Sequence, residues 1–203
     1  MTRGRRLVLL LLAVLLLATV LIRACWLDLF YISSGSMEPT VVPGERILVD
    51  RTVSPAQLQR GDVIVFDGRG SFAPYEPASV LDDVLRTLHV RGGESTYVKR
   101  VLALPGETIA CCSPAGKVTV NDQEVSEPYL FPGDVPSLTR FEATVPRGKL
   151  WLMGDHRSAS SDSRSLIGAP GGGMVSEDRV LGRVNAVVWP LGSIRSIPST
   201  GEQ

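Results

Sequence analysis

The feature that most restricts the fold is a long apolar segment near the N-terminus. Residues 7–22 contain Thr19 as their only polar side chain, and after Arg23 the apolar character continues to residue 27. As a helix, residues 7–27 would rise roughly 30 Å, about the thickness of the hydrocarbon core of a bilayer. Arginines within residues 1–6 precede the segment, and such residues favour the cytoplasmic side. We therefore predict a cytoplasmic stretch at 1–6, a single transmembrane anchor at 7–27 in the plasma membrane, and an extracytoplasmic domain at 28–203.

Two other interpretations of this segment stay open. A cleavable signal peptide has a shorter apolar region of about 7–15 residues and a small-residue cleavage site, whereas "LIRAC" has isoleucine three positions before Cys25. A lipoprotein acceptor site is weakly suggested by the same letters, although the arginine fits it poorly. Trp26, Phe30 and Tyr31 favour the anchor, because aromatic rings collect at the membrane interface.

The remainder of the chain is typical of a mainly β domain. The chain has 20 glycines, all but Gly4 in this part, and 14 prolines, and they fall largely between short apolar runs, as expected for strands joined by turns. We predict a domain of antiparallel sheets, barrel-like or sandwich-like, with a small β-hairpin lobe at about 107–148. An excursion at 67–95 carries a short helix at 77–88. The predicted strands lie in 46–50, 61–66, 96–109, 149–155 and 180–189, and a hairpin lies in 117–125 around Asn121-Asp122.

Charge and cysteine usage argue against several functions. Lys and Arg number 21 and Asp and Glu number 21, which gives a formal net charge of zero, so nucleic acid is not the expected partner. Of the three cysteines, Cys25 lies in the apolar segment, while Cys111 and Cys112 are adjacent. This pattern is neither a disulfide framework nor a metal site. We expect no metal or cofactor, and Cys111 and Cys112 are either small buried side chains or an occasional bridge.

A lysine in the strongest predicted strand is a candidate general base. In an extended strand at 96–109, Lys99 shares a face with Tyr97 and Val101, and Arg100 lies on the opposite face. Both faces are largely apolar. A buried lysine loses the hydration of its charged form, its pKa falls, and the neutral amine can accept a proton. The alternative is an edge-strand lysine with its amine in water.

Two serine-rich stretches are candidates for the rest of a site. In "SSGSMEPT" at 33–40, Gly35 permits an unusual turn that can present a neighbouring serine hydroxyl, with its own N–H aimed at a developing oxyanion. The alternative is a polar linker leaving the membrane. In "GDHRSASSDSR" at 154–164, Asp162 and Arg164 are placed to pair.

Taken together, four stretches resemble the sequence boxes of the type I signal peptidases, which are membrane-anchored serine–lysine endopeptidases. In chain order these are "SGSMEPT", "RGDVIVF", "YVKRVLALPGE" and "GDHRSASSDSR". The resemblance implies an enzyme that removes N-terminal signal peptides from exported preproteins after Ala-x-Ala-type sites. Its partners would be preproteins and the lipid bilayer. One departure is His156, which stands where the resemblance leads us to expect a small polar residue such as asparagine.

The resemblance also implies a role for individual residues. Ser36 is the implied nucleophile and Lys99 the implied general base, with the Ser34 hydroxyl and the Ser36 N–H as the oxyanion hole. The remaining implied or guessed positions support the lysine or line the substrate pockets: Ser160 bonded to the Lys99 amine, Asp162 paired with Arg164, Tyr97 and Arg100 bracing the strand, and Ile32, Met37 and Val101 in the pockets.

Three alternative functions remain open from the sequence. A serine hydrolase with a histidine base would use Ser36 with His89 or His156, although the chain lacks a Gly-x-Ser-x-Gly elbow. A self-cleaving repressor-type protein would share the serine–lysine chemistry, but would carry a DNA-binding module where this chain has its apolar segment. A membrane-anchored β domain that binds a partner without catalysis is the third.

Overall fold

The computed structural model describes residues 3–74 and 95–198. The predicted helix at 77–88 and His89 lie outside the described residues. The elements are one helix and twelve strands within the described part: α1 Arg3–Cys25, β1 Leu27–Tyr31, β2 Arg46–Asp50, β3 Val63–Asp67, β4 Thr96–Ala103, β5 Thr108–Cys111, β6 Val118–Val120, β7 Gln123–Glu124, β8 Phe141–Thr144, β9 Lys149–Met153, β10 Val175–Ser176, β11 Val180–Trp189 and β12 Arg195–Ser196.

The strands form two antiparallel sheets within the described residues. The larger sheet has the order β1-β2-β11-β3-β4-β9-β10, with β12 paired to β11, and the smaller has the order β7-β6-β5-β8. Strand β11 lies between β2 and β3, so the last long strand closes a gap between two early ones. The prediction of a mainly β protein with antiparallel sheets is confirmed.

Local sequence explains several of these strands. In β2, Ile47 and Val49 alternate with more exposed residues and enter the core, whereas β3 is buried along its whole length. The predicted hairpin is confirmed in β6 and β7, which are joined by Asn121 and Asp122 at φ values of 51° and 65°. Asn and Asp tolerate this left-handed conformation, which two-residue hairpin turns require. The smaller sheet lies inside the range 107–148.

The N-terminal prediction is wrong at its C-terminal end. Helix α1 ends at Cys25, and Leu27 begins strand β1, which pairs with β2 from Leu27↔Asp50 to Tyr31↔Arg46. The apolar run continues from the helix into the strand, so hydrophobicity alone does not show where the helix ends. The helix ends where the β1 backbone begins to pair with β2. Among the residues that the structure describes, no helix meets both the length and the apolarity needed to cross a membrane.

The hydrophobic core holds the serine-rich turn against the main sheet. Met37 is 2% exposed and packs with Val63 and Val65 of β3 in one cluster of buried side chains. Strand β4 is hydrogen-bonded to β3 on one edge and, from Arg100 onward, to β9 on the other. The turn and β4 are therefore both held by β3.

The two adjacent cysteines are joined by a disulfide. Cys111 lies in the cluster of buried side chains that joins the smaller sheet to Trp151 and Met153 of β9. Within the same cluster Trp151 stacks on Phe141 with ring centroids 5.2 Å apart. The bridge therefore lies where the two sheets meet.

Candidate active site

The structure brings Ser36 and Lys99 together across 63 positions of sequence, with Lys99 Nζ 2.6 Å from Ser36 Oγ. Ser36 lies in a 3₁₀ turn at Gly35–Met37, and Lys99 projects from the middle of β4. The two residues are 9% and 4% exposed, respectively. A serine hydroxyl and a lysine amine thus share a hydrogen-bond distance in surroundings that exclude most water.

Burial changes the acidity of this amine. The pKa of Lys99 is lowered from 10.5 to about 8, chiefly because burial removes water from the charged form. The negative charges of Asp162 and Asp155 act in the opposite direction, and the positive charge of Arg164 lowers the pKa further. With a pKa of about 8, about one amine in ten is neutral at pH 7, against fewer than one in a thousand for an ordinary lysine.

The two groups expected at an oxyanion hole lie beside Ser36. The Ser36 N–H donates a hydrogen bond to Ser34 Oγ at 3.3 Å, and the Ser34 side chain is exposed. A Cβ at Gly35 would lie 2.9 Å from Glu38 Oε1, the end of a flexible side chain, so a larger residue there would require only that this side chain move. The turn therefore places one backbone donor and one hydroxyl side by side.

Arg100 braces the site through a buried network. Its guanidinium donates to the Asp155 carboxylate at 2.8 and 2.6 Å, and to Thr40 Oγ1 at 3.1 Å. It also lies 3.9 Å from the centroid of the Tyr129 ring. Thr40 follows the Ser36 turn, so this one cation connects that segment to β4 and to the loop after β9. Asp155, which the sequence offered as a cap of the turn after β9, is instead the ion-pair partner of Arg100, and neither this pair nor the part of Thr40 was predicted.

Ser160 corrects one expectation. Its Oγ is buried and has no hydrogen-bond partner among the described residues, so the predicted bond to the Lys99 amine is not formed. Instead Ser160 lies beside Gly154 and the Ser36 carbonyl oxygen, and a Cβ at Gly154 would overlap both. The loop thus approaches the Ser36 backbone closely at Gly154, where a side chain would collide with the Ser36 carbonyl oxygen.

The predicted Asp162–Arg164 ion pair is formed. Arg164 Nη2 lies 2.8 Å from Asp162 Oδ2, and the same carboxylate oxygen accepts a hydrogen bond from the Gly154 N–H at 3.0 Å. Asp162 is fully buried and Arg164 is partly exposed. The pair therefore holds the loop at 154–164 to the end of β9.

The three pocket guesses do not form one pocket. Ile32 and Met37 belong to one buried cluster, whereas Val101 is fully enclosed in another with Leu152 of β9. Val101 pairs with Leu152, and β9 covers it. Tyr97, which was expected to brace the strand, packs against Phe66 and Phe72 with ring centroids 5.8 and 5.6 Å away.

His156 contacts the backbone of the serine turn and not its hydroxyl. The backbone N–H of His156 donates to the Ser36 carbonyl oxygen at 3.2 Å, and the ring Nδ1 lies 3.3 Å from the Gly35 carbonyl oxygen. Its ring stacks on Phe131 at 3.8 Å. The geometry thus favours Lys99 over His156 as the partner of Ser36 Oγ.

The antiparallel fold and the buried Ser36–Lys99 pair define a candidate serine hydrolase. Residues 4–189 match the family described as signal peptidase, peptidase S26. The chain belongs to this family and is accordingly a serine endopeptidase, which removes the alternative of a β domain without catalytic activity.

Relatives in several bacteria are similar to the chain. It is 36% identical to a probable signal peptidase I of Mycobacterium leprae over 82% of this chain and 72% of that protein. It is 34% identical to signal peptidase I U of Bacillus subtilis, over 86% and 82% respectively. A crystal structure of a signal peptidase I from Enterococcus faecalis aligns with a TM-score of 0.41 and 24% identity, over 62% of this chain and 95% of that one.

Proposed function

We propose that this peptidase removes signal peptides from exported preproteins with Ser36 as the nucleophile and Lys99 as the general base. The observation that carries the proposal is the 2.6 Å approach of Lys99 Nζ to Ser36 Oγ, with the pKa of the amine lowered to about 8. Arginine could not take this role, since it does not release its proton in proteins. The names of the relatives point to the same substrate class.

The reaction divides into two steps. The neutral Lys99 amine accepts the proton of the Ser36 hydroxyl while Oγ attacks the scissile carbonyl carbon, and the resulting ammonium protonates the leaving amine of the mature chain. A water molecule then gives its proton to Lys99 and attacks the acyl-enzyme. The acyl–oxygen bond breaks, Lys99 returns the proton to Ser36 Oγ, and the signal peptide leaves as a carboxylic acid that releases its remaining proton to solvent.

The oxyanion of each tetrahedral intermediate is stabilised by the Ser36 N–H and by the Ser34 hydroxyl. Ser34 Oγ accepts the hydrogen bond of that N–H in the free enzyme. When an oxyanion is present, both groups donate to it, and the Ser34 hydroxyl rotates to do so. Removal of one such donor costs about 10²–10³ in kcat where it has been measured in another serine protease, so Ser34→Ala should fall in that range.

The charged residues around the pair keep it in place. Arg100 and Asp155 hold β4 to the loop after β9, and Asp162 with Arg164 holds the far part of that loop. Tyr97 packs in an aromatic group at the start of β4. The group that contacts the reacting hydroxyl of Ser36 is the Lys99 amine. The four charged residues and the tyrosine act through that pair, and they are therefore positioning residues.

The substrate binds as an extended chain along β4. Within the described residues, no strand pairs with one edge of β4 from Thr96 to Lys99, because the β9 pairing begins at Arg100. A peptide that adds to a free sheet edge presents alternate side chains to the protein. This geometry suits recognition of small residues at the first and third positions before the cut, the Ala-x-Ala pattern.

We place the enzyme in the plasma membrane as a single-pass protein, with residues 1–6 in the cytoplasm and the β domain outside. The support is the helical conformation of Arg3–Cys25, with exposed side chains over residues 7–16, and its basic first residues. Trp26, Leu29 and Tyr31 continue the exposed apolar surface onto β1. Carbonate extraction and protease accessibility of an N-terminal tag in sealed cells test this topology; extraction into the soluble fraction would reject it.

The catalytic proposal is tested with detergent-solubilised protein and a preprotein that carries an Ala-x-Ala site. Wild type should release a mature chain whose N-terminal sequence begins directly after that site, and Ser36→Ala should release none. Lys99→Arg should be as inactive as Lys99→Ala, since arginine keeps its proton. Lys117→Arg in the β5–β6 connection serves as the matched control and should keep full activity. Substantial cleavage by Lys99→Arg would refute the base assignment.

A further inference from the structure

His156 contacts the peptide groups on both sides of Ser36 and has no role in the reaction as proposed so far. Its backbone N–H donates to the Ser36 carbonyl oxygen at 3.2 Å, and its ring Nδ1 lies 3.3 Å from the Gly35 carbonyl oxygen. His156 belongs to the loop after β9, whereas the two carbonyl groups belong to the 3₁₀ turn at Gly35–Met37. One residue from a distant part of the chain thus holds two successive carbonyl groups of the serine turn.

The Gly35 carbonyl oxygen belongs to the same peptide group as the Ser36 N–H. A trans peptide group is planar, and its C=O and N–H point in opposite directions. The peptide bond between Gly35 and Ser36 is trans. A hydrogen bond to the Gly35 oxygen therefore fixes the direction of the N–H on the other side of the same plane. That N–H is the backbone donor of the proposed oxyanion hole.

The surroundings of Nδ1 favour the tautomer that carries its hydrogen on this atom. A carbonyl oxygen accepts and does not donate, and the Glu38 carboxylate oxygen Oε2, 3.9 Å from Nδ1, is also an acceptor. The hydrogen bond that a ring nitrogen makes decides which nitrogen is protonated, so Nδ1 donates to the Gly35 oxygen. Hydrogen bonds in a series polarise one another, and this bond therefore makes the Ser36 N–H a stronger donor.

Phe131 holds the imidazole ring in the required plane. The two rings stack with centroids 3.8 Å apart and an angle of 9° between their planes. The Phe131 N–H in turn donates to the carbonyl oxygen of Asp155 at 3.2 Å, and Asp155 directly precedes His156. The stack thus fixes the plane of the imidazole, as a directional hydrogen bond from Nδ1 requires.

We propose that His156 is a positioning residue for the oxyanion hole, because its Nδ1–H bonds the Gly35 carbonyl oxygen and so aims the Ser36 N–H at the oxyanion. His156 acts through this peptide group and not as a base on the Ser36 hydroxyl. This inference rests on the proposed function, since it concerns the same reaction, but it gives a task to a histidine that the serine–lysine mechanism leaves unused.

Three substitutions at His156 separate the hydrogen bond from the packing of the ring. His156→Phe keeps an aromatic ring against Phe131 and removes the donor. His156→Asn removes the ring, but its amide nitrogen is the same number of bonds from Cα as Nδ1 and donates. His156→Leu has the branching of asparagine and no donor. The comparison of Asn with Leu therefore tests the N–H group at nearly constant shape.

The expected results are a loss in kcat where the donor is absent and its rescue by asparagine. With a preprotein that carries one Ala-x-Ala site, kcat should fall about tenfold in His156→Phe and His156→Leu, less than the roughly 10²–10³-fold effect of removing a donor, because the Ser36 N–H is still present. KM should stay within about twofold of wild type, since the oxyanion exists only in the transition state and the intermediates. His156→Asn should keep kcat within about threefold of wild type.

The pH profile shows whether a substitution has instead disturbed the Ser36–Lys99 pair. The pKa of Lys99 is lowered to about 8 chiefly by burial, and His156 is not among the charged groups that shift it. The midpoint of kcat/KM should therefore be the same in wild type and in all three variants. Urea unfolding checks that each variant is folded. Glu142→Gln, on an exposed position of β8, is the control and should match wild type in every measurement.

The outcomes separate this inference from the proposed function. Wild-type kcat in His156→Phe, an equal fall of kcat in His156→Asn and His156→Leu, or a moved midpoint would each overturn the positioning role, while cleavage by wild type still supports the peptidase. If wild type and Ser36→Ala cleave the preprotein equally, the catalytic proposal fails and the role of His156 fails with it.

Discussion

A general base that must be neutral makes cleavage depend on pH in a defined way. Burial lowers the pKa of Lys99 to about 8. The neutral fraction is nearly complete above pH 9, about one tenth at pH 7 and about one hundredth at pH 6. We therefore expect kcat/KM for preprotein cleavage to rise about tenfold per pH unit from pH 6 to 7.5 and to level off near pH 9. An ordinary lysine would keep the rate rising beyond pH 10.

A charge change next to the amine should move this midpoint. The negative charge of Asp162 raises the pKa of Lys99, and the positive charge of Arg164 lowers it. Asp162→Asn removes the first effect and leaves the second, so the pKa falls and the neutral form persists to lower pH. The midpoint of the rate profile should therefore move to lower pH, whatever the loss in maximum rate. Asp122→Asn in the β6–β7 turn is the matched control and should leave the midpoint unchanged.

The assay measures how fast the detergent-solubilised enzyme cleaves a preprotein that carries one Ala-x-Ala site, at constant ionic strength from pH 6 to 10. Circular dichroism at each pH confirms that the enzyme remains folded. A rate that does not change between pH 6 and 9, or a midpoint above pH 10, would refute the neutral-lysine mechanism. Movement of the midpoint to higher pH in Asp162→Asn would refute the effect of the Asp162 charge on the pKa of Lys99, but it would leave the neutral-lysine mechanism standing.

Two further predictions concern the loop and the network around the pair. Gly154→Ala places a methyl group against Ser160 and the Ser36 carbonyl oxygen, so we expect the free energy of unfolding to fall by about 1–3 kcal/mol and kcat to fall strongly. Urea unfolding and preprotein cleavage measure the two effects. A variant with wild-type kcat would contradict this prediction. Arg100→Met leaves the buried Asp155 with the Thr40 hydroxyl but without its cationic partner, so unfolding should require about 3–5 kcal/mol less free energy. An unchanged urea midpoint would show that the ion pair does not stabilise the fold.

Much of the local structure could be predicted from sequence. The alternation in β2 and the apolar run in β3 predict strands within two residues of their observed bounds, and the Asn121-Asp122 turn predicts the hairpin. These are short-range signals, because side-chain periodicity and turn residues act on neighbouring positions. The order of strands was not predicted, since placement of β11 between β2 and β3 depends on contacts between distant parts of the chain.

The errors have physical causes. Strand β1 follows α1 without a polar break, so hydrophobicity alone extended the helix into it. Ser160 lies in a polar loop whose path depends on the close approach of Gly154 to the Ser36 backbone, and Val101 is covered by β9. In each case packing between elements, and not the local sequence, decided which atoms meet.

The sequence by itself determined the residue types that the chemistry needs: a serine next to a glycine, a lysine within an apolar strand, and a paired aspartate and arginine in a polar loop. Only the tertiary structure decided that Ser36 and Lys99 meet at 2.6 Å in a site from which water is largely excluded. The physical reason is that a lowered lysine pKa arises from burial, and burial depends on all the elements that surround the amine.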